Sequence, residues 1–492
     1  MIQPIYNPPF TLKNGFLMTI YAALRASRSW EKSIDLPEPP YQETVFLGAV
    51  GVPIYGIVAI PENPRGTIIS TYGITGTLDN QWFLRIWGRK AFAAGYAVVL
   101  FDWRAHGKTA ELSPTLTSDG LYEGEDFVRI AAQSKLMGCP APFWFTGYSL
   151  GGQLALWGVK TAQTVNQWGT DLDLKDSDIA GGAVICPSLD STRSLSYLVQ
   201  HSWGKYLERA ITKELKKLAR NLYQHHPNDI DPEAIKRANS IWGFDNELVI
   251  GRLGFKSVEA YYEASSGLQL IPKLRKPTLI LYAEDDPLFD PTIIPDLKAA
   301  SHQNPAINLV STNYGGHVGY ISSKICQNQF NDPDRWWAWN RILDWLDQQE
   351  GELVTAINAI LKPAKIARAF PELRCTFEER SIVPDVSVFT WDRIPRDHNS
   401  AIANSFLIAP DWMIEILSPD QSPTKVIKKI LYCLNYQTQM AWLIDPEEQS
   451  IFVYHSQQQT EVFDQPESPI SVPPFATDIK LTVGELFGWL LE

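Results

Sequence analysis

Ser149 stands in a G-x-S-x-G context, Gly147-Tyr148-Ser149-Leu150-Gly151. A serine hydroxyl is a weak nucleophile at neutral pH until a base lies within hydrogen-bond reach and an anion orients that base. Candidates for both follow in the order Ser…Asp…His. Asp286 lies three residues beyond Ala283, at the end of an apolar run, and His317 sits in Gly315-Gly316-His317-Val318-Gly319. Asp285 and Asp290 are the alternatives for the acid. The chemistry these residues would support is acyl transfer, with His317 taking the Ser149 proton and Asp286 fixing the tautomer. Two backbone N–H groups would hold the oxyanion: that of Leu150, just after the serine, and that of Ile74, in Tyr72-Gly73-Ile74-Thr75-Gly76. Asp102, Arg104 and His106 read as residues that organise a neighbouring loop.

The elements around these residues must present them at one edge. An apolar run at 141–146 (APFWFT) precedes the serine, and a helix-like pattern (QLALWG) follows it. That is the strand–turn–helix context in which glycines let the chain turn sharply under an exposed serine. Further short apolar runs, at 66–71, 96–101, 179–186 and 277–283, alternate with helical patterns. The alternation predicts a mostly parallel sheet covered on both faces, with reactive groups at the carboxyl ends of its strands. A hairpin is expected at 43–61, turning near Gly51. Residues 188–269 interrupt the alternation with a mainly helical stretch, a candidate cap over the site. The Trp-rich stretch 336–346 reads as an amphipathic helix whose aromatic residues belong to the core.

A chain of 492 residues implies two or three domains. The net charge of −12 implies no general affinity for nucleic acid or an anionic membrane. Five scattered cysteines (Cys139, Cys186, Cys326, Cys375, Cys433) form no CxxC pair, which fits a reducing compartment better than a disulfide framework or metal site. No apolar run is long enough for a transmembrane helix, and the N-terminus has no signal-peptide pattern, so a cytoplasmic location is expected.

After a boundary near 348–351 the pattern changes. Strands are expected at 381–389, 412–417, 441–444 and 451–454, with helices at 353–361 and 424–436. Asp385 and Glu415 fall on neighbouring strands, where two carboxylates can share a hard cation such as Mg²⁺. This segment carries 19 acidic and 11 basic residues.

Several of these motifs carry a family resemblance. NPPF at 7–10 with LKNG at 12–15 and Thr19-Ile20, YGITG at 72–76, DWRAHG at 102–107, GYSLGG at 147–152, Phe244-Asp245 with Gly254-Phe255 and Tyr261-Tyr262, Asp285-Asp286-Pro287 and GGHVG at 315–319 resemble the YheT-like, or embryogenesis-associated, branch of the α/β-hydrolases. The resemblance covers residues 1–346 and implies an α/β-hydrolase fold with a mostly parallel sheet and a helical cap insertion. It implies a serine hydrolase of carboxylic esters, acting on short-chain esters or acyl lipids without a cofactor. Tyr72 stands where that family usually has His, a change expected to alter pocket shape more than mechanism. Residues 351–492 resemble the Uma-type family of restriction-endonuclease-like α+β domains, through PDVSVF at 384–389, IEILSP at 414–419, Lys429 and WLIDP at 442–446. That resemblance implies metal binding by Asp385 and Glu415. Lys429, on the following helix, would replace the lysine absent after Glu415. The opening helix and strand usual for the family are not recognised here, so an N-terminally truncated, inactive accessory domain is expected. The alternative is a metal-dependent nuclease or DNA-binding function.

Overall fold

The computed structural model describes residues 5–62, 64–168, 172–349, 352–371, 373–378, 380–396, 402–403, 406–417, 422–456 and 459–491. Its contacts divide the chain into Met1–Leu343 and Asp344–Glu492.

In the first unit, eight strands among the described residues form one sheet: β1 (Gln42–Leu47), β2 (Pro53–Ala59), β3 (Thr67–Thr71), β4 (Ala97–Phe101), β5 (Phe143–Tyr148), β6 (Ile179–Ile185), β7 (Thr278–Ala283) and β8 (Ile307–Thr312). Their order is β1-β2-β4-β3-β5-β6-β7-β8. β1 and β2 form the expected hairpin, β2 also runs antiparallel to β4, and β3 to β8 are parallel. Every residue of β3, β4, β5 and β7 is buried. Helices on both faces therefore leave no polar side for these strands to present, which is why they read as continuous apolar runs. The sheet-facing residues of the helix Leu150–Ala162 include Gly158, where a Cβ would sit 3.0 Å from Phe127 and Phe145.

Between β6 and β7 the chain leaves the sheet for a helical excursion, led by Ser191–Gln200 and Ser202–His225 and ending with Val258–Ser265. Its apolar faces form a cluster that includes Leu215, Leu222, Ile235, Phe244 and Tyr261. Asp190, Asp231, Ser240 and Ser257 each cap a helix here by accepting a backbone N–H, which sets where those helices start. The helix Trp337–Gln349 follows the last strand, and Trp336, Trp337 and Trp339 are buried as core residues.

In the second unit, the strands β9 (Ala367–Pro371), β10 (Cys375–Phe377), β11 (Arg380–Ile382), β12 (Val386–Thr390), β13 (Trp412–Ile416), β14 (Met440–Asp445), β15 (Ser450–His455) and β16 (Glu461–Phe463) form two sheets. Six of them order as β16-β15-β14-β13-β12-β9, and β10 pairs with β11. The single strand expected over 381–389 is instead two, broken at Val383-Pro384-Asp385. Proline has no N–H for a ladder, and the break leaves Asp385 at the entry of β12.

Candidate active site

Ser149 sits at the end of β5 with φ 56° and ψ −130°, a strained conformation for a non-glycine residue. Close packing imposes it. A Cβ on Gly147 would lie 2.3 Å from the Gly151 carbonyl oxygen, and a Cβ on Gly151 would lie 2.3 Å from that of Tyr72. Only glycine lets the elbow fold back on itself and press against the loop after β3.

His317, after β8, places Nε2 2.9 Å from Ser149 Oγ, and its Nδ1 lies 2.8 Å from Asp286 Oδ2, after β7. An ionised carboxylate only accepts, so Nδ1 carries the proton and Nε2 accepts from the serine hydroxyl. Asp286 is fixed in turn, because its Oδ1 accepts the Leu288 N–H at 2.9 Å. Phe289 packs edge-on against the His317 ring, with centroids 5.2 Å apart.

The alternative acids are occupied elsewhere. Asp285 Oδ1 accepts the Gly316 N–H at 2.9 Å, and burial pushes its carboxyl up to about 6. Asp290 accepts the Thr292 N–H at the start of a helix. Ile74 and Leu150 both line the space above Ser149, and among the described residues neither N–H has a backbone acceptor. A Cβ on Gly73 would lie 2.9 Å from Ser149 Cβ, so the loop carrying Ile74 lies directly against the serine.

That loop is held from behind by the segment after β4. Tyr72 is fully buried and donates its hydroxyl to Asp102 Oδ1, which also accepts the Leu78 N–H at 2.8 Å. Tyr72 therefore acts as a strut behind the loop that carries Ile74 and does not itself line the cavity. Burial lowers His106 to about 4, so it is neutral, and its Nε2 accepts the Thr75 N–H at 3.1 Å. Arg104 is anchored by buried Asp126, with Nε 2.7 Å from Oδ2.

The cavity over Ser149 measures about 110 Å³. Leu195, Leu198, Ile211, Leu215 and Phe244 of the helical excursion wall it, and no lysine or arginine lines it among the described residues. Asp119 and Asp245 do line it, and sequence reasoning gave neither a role there. Burial raises both carboxyls, Asp119 to about 7 with the charge of Glu123 adding to the effect. Tyr262 donates its hydroxyl to Asp245.

In the second unit, Asp385, Glu415 and Lys429 do come together. Lys429 Nζ lies 2.8 Å from the Glu415 carboxylate and donates to the Val383 carbonyl at 2.6 Å. Asp385 Oδ2 accepts the Ile416 N–H at 2.5 Å. Burial, then repulsion from Asp385, pushes Glu415 up to about 8 against the opposing charge of Lys429. No cluster of three or more His, Cys, Asp or Glu side chains suited to a metal occurs among the described residues. Glu415 is buried and Asp385 partly buried, and carboxylates are the donor type that a hard cation such as Mg²⁺ takes.

Comparison with known proteins agrees with this division. Residues 66–324 match the family described as "alpha/beta hydrolase fold", and residues 345–484 match the Uma2 family, described as "Putative restriction endonuclease". "Putative esterase slr0264" of Synechocystis sp. is 55% identical over 70% of this chain and 95% of its own length. "Putative esterase YheT" of Escherichia coli is 29% identical over 42% of this chain and 55% of its own. A crystal structure titled as a putative nuclease belonging to DUF820, from Anabaena variabilis, is 60% identical, with a TM-score of 0.29, over 29% of this chain and 80% of that one. The chain belongs to the α/β-hydrolase family, as a homologue of the YheT-like esterases that also carries a Uma2 restriction-endonuclease-like domain.

Proposed function

We propose that the first unit is a serine carboxylic-ester hydrolase. The observation that carries this reading is the hydrogen-bonded chain Ser149 Oγ, His317, Asp286, with its serine end opening on an apolar cavity. In the reaction His317 Nε2 takes the Ser149 proton as Oγ attacks the ester carbonyl carbon. The tetrahedral oxyanion lies against the N–H groups of Ile74 and Leu150, each such donor being worth about 3 kcal/mol of barrier. His317 then protonates the leaving alcohol. Water, deprotonated by the same nitrogen, releases the acid and restores Ser149. Asp286 holds the ring and stabilises the imidazolium throughout. The apolar wall and the absence of a lining cation among the described residues favour neutral esters with an acyl chain, short-chain or lipid-derived, over anionic ones. Hydrolysis of p-nitrophenyl esters from acetate to palmitate tests this. Activity that peaks at one chain length and is absent in Ser149→Ala supports the reading; equal rates in the two proteins sink it.

A second reading is favoured by the meeting of Asp385, Glu415 and Lys429: a metal-dependent nuclease or DNA-binding function in the second unit. Asp385 and Glu415 would hold Mg²⁺, which would polarise a phosphoryl oxygen and activate water. Lys429 would neutralise charge beside Glu415. Mg²⁺-dependent nicking of plasmid DNA, lost in Asp385→Asn and unaffected in Ser149→Ala, would support it. Absence of nicking by the folded full-length chain would count against it.

A further inference from the structure

The loop that carries His317 has an unusual backbone. Gly315, Gly316, Val318 and Tyr320 all have positive φ, at 152°, 58°, 64° and 42°. The two glycines adopt these angles freely, but Val318 and Tyr320 are strained there and persist only where their surroundings over-determine them. Those surroundings come from the other end of the chain, from residues 6–19, ahead of the first strand of the sheet.

The helix Gly15–Leu24, capped by the Asn14 side chain accepting the Leu17 N–H, lies directly under this loop. Thr19 Oγ1 donates to the Gly15 carbonyl at 2.7 Å, which aims its lone pair outward, and it accepts the His317 N–H at 2.8 Å. The contact is backbone-close on both sides. A Cβ on Gly15 would lie 1.7 Å from the Asp285 carbonyl oxygen, and one on Gly316 would lie 2.5 Å from the Gly15 carbonyl oxygen. A Cβ on Gly319 would lie 2.6 Å from Met18 Cγ, and Met18 is fully buried. Further along, Tyr6 donates its hydroxyl to the Ile321 carbonyl at 2.8 Å, and Ser323 donates its N–H to the Asn7 carbonyl at 3.0 Å. The N-terminal segment thus grips the loop on both sides of His317.

We propose that this N-terminal segment is a working part of the hydrolase site and that Thr19 is a positioning residue, holding the His317 backbone so that Nε2 meets Ser149 Oγ. The proposal rests on reading Ser149, His317 and Asp286 as the triad. Thr19 touches neither the cavity nor the reacting atoms. Its loss therefore lowers kcat and leaves KM where it was.

The experiment measures ester turnover and the rate of Ser149 labelling by a fluorophosphonate in full-length wild type, Thr19→Val, Thr19→Ser and Ser149→Ala, with thermal unfolding alongside. Valine keeps the shape of threonine and removes the hydroxyl. A displacement of His317 by a fraction of an ångström to 1 Å predicts a kcat fall of about ten- to a hundredfold in Thr19→Val. KM should stay within about twofold, and Thr19→Ser should return kcat to within about threefold of wild type. Labelling of Thr19→Val should slow in parallel with kcat. Should the valine variant fail to fold, Thr19→Ala is read in the same way. Wild-type turnover and labelling rates in a folded Thr19→Val or Thr19→Ala overturn the proposal. So does a fall that shows only in KM or is not restored by serine. A wild type that is not labelled, or is labelled as fast as Ser149→Ala, overturns the triad reading beneath it instead.

Discussion

Replacing Asp286 by asparagine separates the shape of the site from its chemistry. Asp286 Oδ1 accepts the Leu288 N–H at 2.9 Å, and Oδ2 faces His317 Nδ1 at 2.8 Å. An asparagine side chain has one oxygen for these two places. If the oxygen faces His317, the amide nitrogen meets the Leu288 N–H, and that donor is stranded at a cost of about 1–3 kcal/mol. If the oxygen stays with Leu288, the amide nitrogen faces Nδ1, and His317 needs only to move its proton to Nε2. The second arrangement breaks no bond, so it wins. Nε2–H then donates to Ser149 Oγ, and the serine has lost its base. A wrong tautomer in a triad of this type costs about 10⁴ in kcat, roughly 5 kcal/mol at 1.36 kcal/mol per decade. The neighbour provides the control. Asparagine at 285 keeps an oxygen for the Gly316 N–H, so kcat of Asp285→Asn should stay within about tenfold of wild type. The assay is kcat for one ester in both variants, with unfolding curves to establish that each is folded. An Asp286→Asn enzyme with more than about a tenth of wild-type kcat refutes the reasoning, as do equal losses in the two variants.

Three further changes test the surroundings. Gly73→Ala would put a methyl 2.9 Å from Ser149 Cβ and 3.2 Å from its Oγ; kcat should fall by about a hundredfold or more while the unfolding curve moves little. Asp119 is pushed up to about 7 by burial, so its contribution to stability is fully present below the unfolded carboxyl value and is lost as pH climbs through 7. Asp119→Asn should therefore flatten the fall in melting temperature between about pH 5 and about pH 8, and an unchanged slope would count against this assignment. Arg104→Met leaves Asp126 buried without its guanidinium, a loss of about 3–5 kcal/mol to be read from denaturant unfolding.

The site was legible where its signals are local. The elbow announces itself because a wholly buried strand, a glycine-flanked serine and a mostly buried, apolar helix follow one another within some twenty residues. Asp286 and His317 were readable because parallel sheets gather functional groups at strand ends, and the order of those strands follows the chain. What stayed hidden depends on contacts between distant residues. Thr19 and His317 are 298 positions apart, so Thr19 was legible as part of the family resemblance but not as the acceptor for that loop. Tyr72 was read through the substitution it represents, yet its partner is Asp102, 30 residues on, and the pair turns the side chain away from the pocket. Asp119 lies in a turn with positive φ and carries no periodic signal, so its place beside the cavity could not be seen. In the second unit, Asp385 and Glu415 were legible as acids on neighbouring strands, and the resemblance gave Lys429 its place beside them. The short strands β9, β10 and β16 escaped because three to five residues cannot establish an alternation.

The central claim is that Ser149 is the nucleophile. Its most direct test is to react the full-length chain with a fluorophosphonate and locate the added mass by peptide mass spectrometry. A single adduct on the peptide containing Ser149, absent in Ser149→Ala and slowed in Asp286→Asn, is the predicted result. An adduct on another residue, or none on the folded protein, would contradict the account.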